Sequence, residues 1–173
     1  MTTTTRIALA PTGWLTDVWL VGLGVLLPLG YWLLSSALGL PVAGLAIAAG
    51  VGLLWVVLGM WMTRASRLDI HDGRLILNAG GLFRHELALD SLRLDQVQIH
   101  YPPRHLGQML GPRARGVSLP GVHLGWFAMP YGRVFVVGPA LTPVLEIRTT
   151  DGGLLLTVDN PQDALTRLHA ARR

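Results

Sequence analysis

Four arginines and three histidines share a stretch of chain that holds no acidic residue. Arg104, Arg113, Arg115 and Arg133, with His100, His105 and His123, all lie between Asp95 and Glu146, and no aspartate or glutamate falls in that interval. Imidazole is a common metal ligand, so three histidines would suit zinc if the fold gathered them. Their spacing is not helical, Pro102 and Pro103 disfavour a helix between the first two, and no acidic residue lies close in sequence to orient the rings. They read as solvated or loop-packing histidines, and neither a metal nor another cofactor is expected. The carboxylates form no evident catalytic pair. Asp69, Asp72, Asp90 and Asp95 suit turns or strand edges, Asp151 a turn and Asp159 the approach to a helix. The phosphate loop G-x-x-x-x-G-K-[ST], the zinc motif H-E-x-x-H and the nucleophile elbow G-x-S-x-G are missing. The chain is therefore not expected to be an enzyme.

The arginines are interleaved with Met109, Leu110, Val117, Leu119, Leu124, Trp126 and Phe127. Basic and apolar side chains in one tract suit a surface that touches anionic lipid, where each nearby basic residue contributes about 1 kcal/mol. An acidic protein or peptide is the other fitting partner. The plain alternative is an ordinary core with solvent-facing arginines. The candidate binding residues are Arg104, Arg113, Arg115 and Arg133 for electrostatic attraction, with Trp126 as an interfacial anchor. Nucleic acid is not expected, because Arg113 and Arg115 make only a small cluster.

The elements that must carry these residues begin with an anchor. Residues 18–63 contain no charged side chain and are broken near the middle by Leu38-Gly39-Leu40-Pro41. A bilayer crossing takes about 20 apolar helical residues, so the run reads as two membrane helices joined by a tight turn. It is too long for the apolar region of a cleaved signal peptide, which spans about 7–15 residues. No ionisable group lies inside it, and such groups mark ion or substrate pathways, so a transporter is discounted. Arg64 and Arg67 follow the second helix and Arg6 precedes the first. The side richer in arginine is expected to be cytoplasmic, which places both ends of the hairpin and the C-terminal domain there. Trp14, Trp19 and Trp61 would lie near one interface, and Tyr31 and Trp32 nearer the other. Gly44, Ala48 and Gly52 form a small-residue stripe that suits close packing, either within the hairpin or in a homo-oligomer. Lysine and cysteine are both absent, all fourteen cations being arginine. Disulfides are thus excluded, and the arginine bias reads as that of a GC-rich bacterium.

From Ser66 the pattern changes to period two. Leu68 and Ile70, then Asp72-Gly73, then Leu75 and Leu77 read as a hairpin. Gly80-Gly81 suggests a further turn, and 86–100 alternates loosely with a bend at Asp90-Ser91. The least periodic part, 100–132, reads as a long loop. Strands follow at Arg133 to Val137 and around Val144, Ile147 and Thr149. After Asp151-Gly152 comes another through Leu154, making about seven short strands. Asn160 and Pro161 are a helix start, and Ala164, Leu165, Leu168 and Ala171 give that helix one apolar stripe.

The tract GVSLPGVHLGWFAMPYGRVFVV, followed by LEIRTTDGGLLLTVDNPQDALTRL, resembles the bacterial PH-like domain family. The matching positions are Leu119-Pro120-Gly121, Gly125-Trp126-Phe127, Asp151-Gly152 and Asn160-Pro161. Ser118 and Ala164 depart from the family pattern, which has glycine and often a large aromatic there. The resemblance implies a curved antiparallel sheet or small barrel closed by a C-terminal helix, and no established activity. The expected protein is thus an α+β membrane protein. An N-terminal cytoplasmic segment (1–17) leads into a two-helix transmembrane hairpin (18–63), then a PH-like antiparallel β domain (66–173) closed by a C-terminal helix. Its expected place is the bacterial plasma (inner) membrane. Its expected role is a non-enzymatic interaction module for a protein partner or anionic lipid head groups. The alternative is an accessory or assembly subunit of a larger membrane complex, joined through the two helices.

Overall fold

The computed structural model describes residues 5–101, 110–139, 143–150 and 152–172. The chain is α+β: a short strand β1 (Thr5–Ile7), two long apolar helices α1 (Trp14–Leu38) and α2 (Ala43–Arg64), a β-sheet domain, and a closing helix α3 (Pro161–Ala171). At 25 and 22 residues the two helices are about 37 and 33 Å long at 1.5 Å per residue, against about 30 Å for a bilayer core. They are long and apolar enough to cross a membrane. Gly39, in the left-handed conformation, ends α1, and the Leu40 amide bonds back to the Ser35 carbonyl. The Tyr31 hydroxyl donates to the Pro41 carbonyl at 2.8 Å, which fastens the turn. The helices cross where Gly24 meets Gly52: a Cβ at Gly52 would overlap the Gly24 carbonyl. Gly44 likewise leaves room for the Tyr31 ring and Gly59 for Leu20. Two of the three stripe positions, Gly44 and Gly52, are thus occupied by packing within the hairpin.

Ten strands are present among the described residues, more than the seven read from sequence. The first sheet has the order β1-β2-β3-β4, with β2 (Arg67–His71), β3 (Arg74–Ala79) and β4 (Phe83–Ala88). The β2–β3 turn is Asp72-Gly73, both at positive φ, the geometry that a two-residue hairpin loop requires. The N-terminal segment is part of this domain, because β1 pairs with β2 and the Ala10 amide reaches the Thr157 carbonyl. The second sheet has the order β5-β9-β10-β8-β7-β6. Its strands are β5 (Gln98–His100), β6 (Arg113–Leu119), β7 (Val122–Met129), β8 (Gly132–Pro139), β9 (Val144–Thr149) and β10 (Gly152–Thr157).

Two expectations are corrected here. The domain is not wholly antiparallel: β10 runs parallel to β8, because β9 lies on the far side of β10 rather than between the two. Both strands are central and covered on both faces; Val134 to Val137 and Leu154 to Leu156 are all buried. Such strands read as continuous apolar runs and carry no orientation signal. Nor is 100–132 a single long loop, since it contains the whole of β6 and β7. The Val122–Gly125 stretch is buried on both faces, so it shows no apolar–polar alternation to recognise.

The main core lies between the two sheets, around Leu68, Leu75, Leu77, Phe135, Ile147 and Leu154. Each such side chain, fully buried, contributes about 1.5–3 kcal/mol. Helix α3 closes this core with Ala164 and Leu168. The Asn160 side chain caps it by accepting from the Gln162 and Asp163 amides at 3.1 and 3.2 Å, as Asn-Pro predicts.

Candidate functional site

Two turns of the sheet domain rest on the ends of the helices, and they set where the basic residues point. In the β3–β4 turn the Gly80 amide donates to Ser66 Oγ at 3.0 Å, and a Cβ at Gly81 would come within 2.8 Å of the Trp61 ring. In the β6–β7 turn the Pro120 carbonyl accepts from the fully buried Thr16 hydroxyl at 3.2 Å. Gly121, at φ 84°, lies so close that a Cβ would be 2.7 Å from Thr16 Oγ1. The strands therefore run away from the helix hairpin. Leu119 is beside the docked turn, and Arg113 is six residues further along β6, about 20 Å at the rise of an extended strand. Arg115 stands opposite Trp126 and Arg113 opposite Phe127, while Arg133 stands opposite Ala128 on the adjoining strand. The structure gathers Arg113, Arg115 and Arg133, all exposed, at the end of the sheet remote from the helices. Arg104 and His105 lie outside the described residues.

Trp126, expected as an interfacial anchor, is half-buried and turns its ring inward. It meets His85 edge-on at 4.6 Å and Phe135 at 5.1 Å between ring centres, between the two sheets. Its strand alternates Val122, Leu124 and Trp126 toward the main core, and that alternation decides its direction. Trp126 and Arg133 nevertheless line one pocket of about 160 Å³ at the remote end, together with His85, Ser91, Thr149 and Thr150. Arg113 lines another of about 290 Å³, with Ser118, His123 and Phe127. There Ser118 Oγ and His123 Nδ1 are 2.8 Å apart. Burial holds both His85 and His123 below the usual histidine range, so both rings are neutral near pH 7. A hydroxyl bonded to a neutral imidazole is the first half of a nucleophilic pair. The second half, a group that orients the ring, is not found among the described residues: His123 meets the edge-on ring of Phe127 at 6.0 Å.

Comparison with known proteins finds no matching family model, no matching curated protein and no matching solved structure. Function has to be read from geometry alone.

The histidines do not converge. His100 is on β5 and His123 on β7, four strands apart in the sheet order, about 19 Å at the usual strand spacing. His100 instead finds an acid that its sequence neighbourhood lacks. Its Nε2 lies 2.8 Å from Glu146 Oε2, and Glu146 is only 5% exposed. The Arg148 guanidinium is 3.9 Å from the other carboxylate oxygen and stacks over the Tyr131 ring at 5.2 Å. Burial, and then the hydrogen bond to Glu146, push the Tyr131 hydroxyl well above the usual tyrosine range. This cluster was not legible in the sequence, because His100 and Glu146 are 46 residues apart and meet only through the pairing of β5 with β9. A buried carboxylate with a histidine, an arginine and a tyrosine around it is a satisfied charge, and it braces the β5–β9 edge.

Proposed function

We propose that this chain is a membrane-anchored, non-enzymatic interaction module whose remote basic end binds an acidic protein partner at the cytoplasmic face of a bacterial plasma membrane. The anchor is supported by the outside of the helix hairpin, where large apolar side chains such as Val42 (79% exposed) and Leu53 (66%) stand uncovered. Apolar surface of that extent marks an interaction or membrane surface. The PH-like reading is supported by the Leu119-Pro120-Gly121 turn, two packed sheets and a closing helix. The parallel β8–β10 pair departs from it.

The observation that carries the choice of partner is the docking of the Pro120-Gly121 turn on Thr16. It sends Arg113, Arg115 and Arg133 away from the helix ends by more than the Debye length, about 8 Å at physiological salt. Charges at that distance are largely screened from head groups, whereas an acidic protein surface can approach them directly. Anionic lipid head groups are therefore the second partner. A photo-crosslinking side chain at position 115 of the full chain, in membranes, tests this. Protein adducts that vanish in the Arg113→Glu/Arg133→Glu variant are expected. Adducts to lipid alone would overturn the choice.

The accessory-subunit reading has its own support. Gly22, Gly30 and Gly50 face open space on the helix exterior, and small residues allow a further helix to approach. A homo-oligomer would use the same exterior, since Gly44 and Gly52 are taken by α1. Crosslinking from position 50 that yields only lipid adducts would remove this reading.

A further inference from the structure

A cavity of about 390 Å³ lies where the helix hairpin meets the sheets, lined among others by Thr12, Asp17, Thr63, Arg64, Ser66 and Leu124. Asp17 belongs to the first turn of α1 and Arg64 is the last residue of α2. Asp17 Oδ1 is shielded from solvent and accepts no hydrogen bond. Arg64 is exposed and has no ion-pair partner among the described residues. A shielded carboxylate oxygen without a donor is costly, so a donor inside the cavity would be strongly held. A single water occupies about 30 Å³, and the space is on the order of ten times that. The cavity thus offers one anionic and one cationic side chain, three hydroxyls and apolar walls.

Its level in the molecule narrows the occupant. Trp14 (73% exposed) and Trp61 (50%) belong to the same helix ends as Asp17 and Arg64, and indole rings favour the head-group layer of a bilayer. We infer that this cavity binds the head group of an amine-bearing zwitterionic phospholipid, with its ammonium on Asp17 and its phosphate on Arg64. An ammonium brings up to three N–H donors to the carboxylate, and a guanidinium is matched to phosphate oxygens. A glycerol head group has no cation for Asp17, and a trimethylated choline has no N–H to donate. The inference rests on the proposal that α1 and α2 cross a membrane.

The test uses the full chain in detergent, titrated with short-chain phosphatidylethanolamine, phosphatidylcholine and phosphatidylglycerol, with bound lipid read by native mass spectrometry. Vesicle flotation after reconstitution is read in parallel. Phosphatidylethanolamine is expected to bind at least tenfold tighter than the other two. Asp17→Asn should bring it down to the phosphatidylcholine level, and Arg64→Gln should weaken both zwitterionic lipids. If Asp17→Asn does not fold, Arg64→Gln and the order of the three lipids on the unaltered chain decide. Flotation with no preference for the amine overturns the site and leaves the anchor standing, whereas failure to float overturns the membrane reading itself.

Discussion

The hydroxyl of Thr16, at the start of α1, donates to the carbonyl of Pro120, in the turn between β6 and β7, across 3.2 Å and 104 residues of chain. This bond makes the sheet domain a docked body rather than a tethered one, and it fixes which end of β6 faces the helices. Gly121 is the residue that permits it. A valine there would combine positive-φ strain with overlap on Thr16. Gly121→Val should cost about 2–3 kcal/mol, and Thr16→Val, which removes only the bond, about 1 kcal/mol. Thermal unfolding of the detergent-solubilised chain checks the order; equal effects would mean that the contact is incidental.

The buried Glu146 carboxylate leads to a second expectation. His100→Ala removes its closest partner and leaves a charge in an apolar face beside Val144 and Leu155. Because the imidazole is partly exposed and Arg148 remains near, the loss should be about 1–3 kcal/mol, below the usual figure for breaking a fully buried pair. Glu146→Gln in the same background should recover part of it, since the uncompensated charge is then gone. Denaturant unfolding of the single and double variants gives the coupling.

Stability should depend on pH at both ends of the range. His85 and His123 have folded-state values below the usual 6.5, so their protonated forms are favoured in the unfolded chain. The stability they contribute is full above about pH 6.5 and is lost as pH falls below it. Tyr131 is the opposite case. Its folded value is raised, so its contribution is complete below about pH 10 and is lost as pH climbs further. Ring-proton titration by NMR should place both histidines below the usual range. Absorbance at high pH should show one tyrosine slow to ionise, which Tyr131→Phe removes.

The helix crossing at Gly24 and Gly52 leaves no space for a side chain. Gly52→Leu should lower hairpin stability by about 1–3 kcal/mol through overpacking. Gly50→Ala, where a Cβ meets nothing within 4 Å, should stay within about 0.5 kcal/mol of the unaltered chain. The thermal midpoints of the two variants in detergent decide the comparison. A tolerant Gly52 would mean that the helices do not cross at that point.

Much of the architecture was legible from local pattern. The uncharged run marks α1 and α2 because hydropathy is a property of each residue in turn. Asp72-Gly73 and Asn160-Pro161 mark their hairpin and cap because the required backbone angles belong to those residues alone. Strand β7 escaped detection because alternation disappears where both faces of a sheet are covered, and the parallel β8–β10 pair escaped for the same reason; β6 is an edge strand with no buried residue, so no apolar face marks it. The candidate site was half legible. Arg113, Arg115 and Arg133 stood out as basic residues in an acid-free tract, but Ser118, His85 and Glu146 carried no local signal at all.

The sequence by itself determined that two apolar helices precede a sheet domain closed by a capped helix, and that cationic charge gathers in one tract. Only the tertiary structure decided where that charge points, that Trp126 turns inward, and that His100 acquires an acid. Each of these depends on contacts between residues tens of positions apart, such as Thr16 with Pro120 and His100 with Glu146. Such contacts are selected by the packing of whole sheets against helix ends and leave no trace in the order of neighbouring residues.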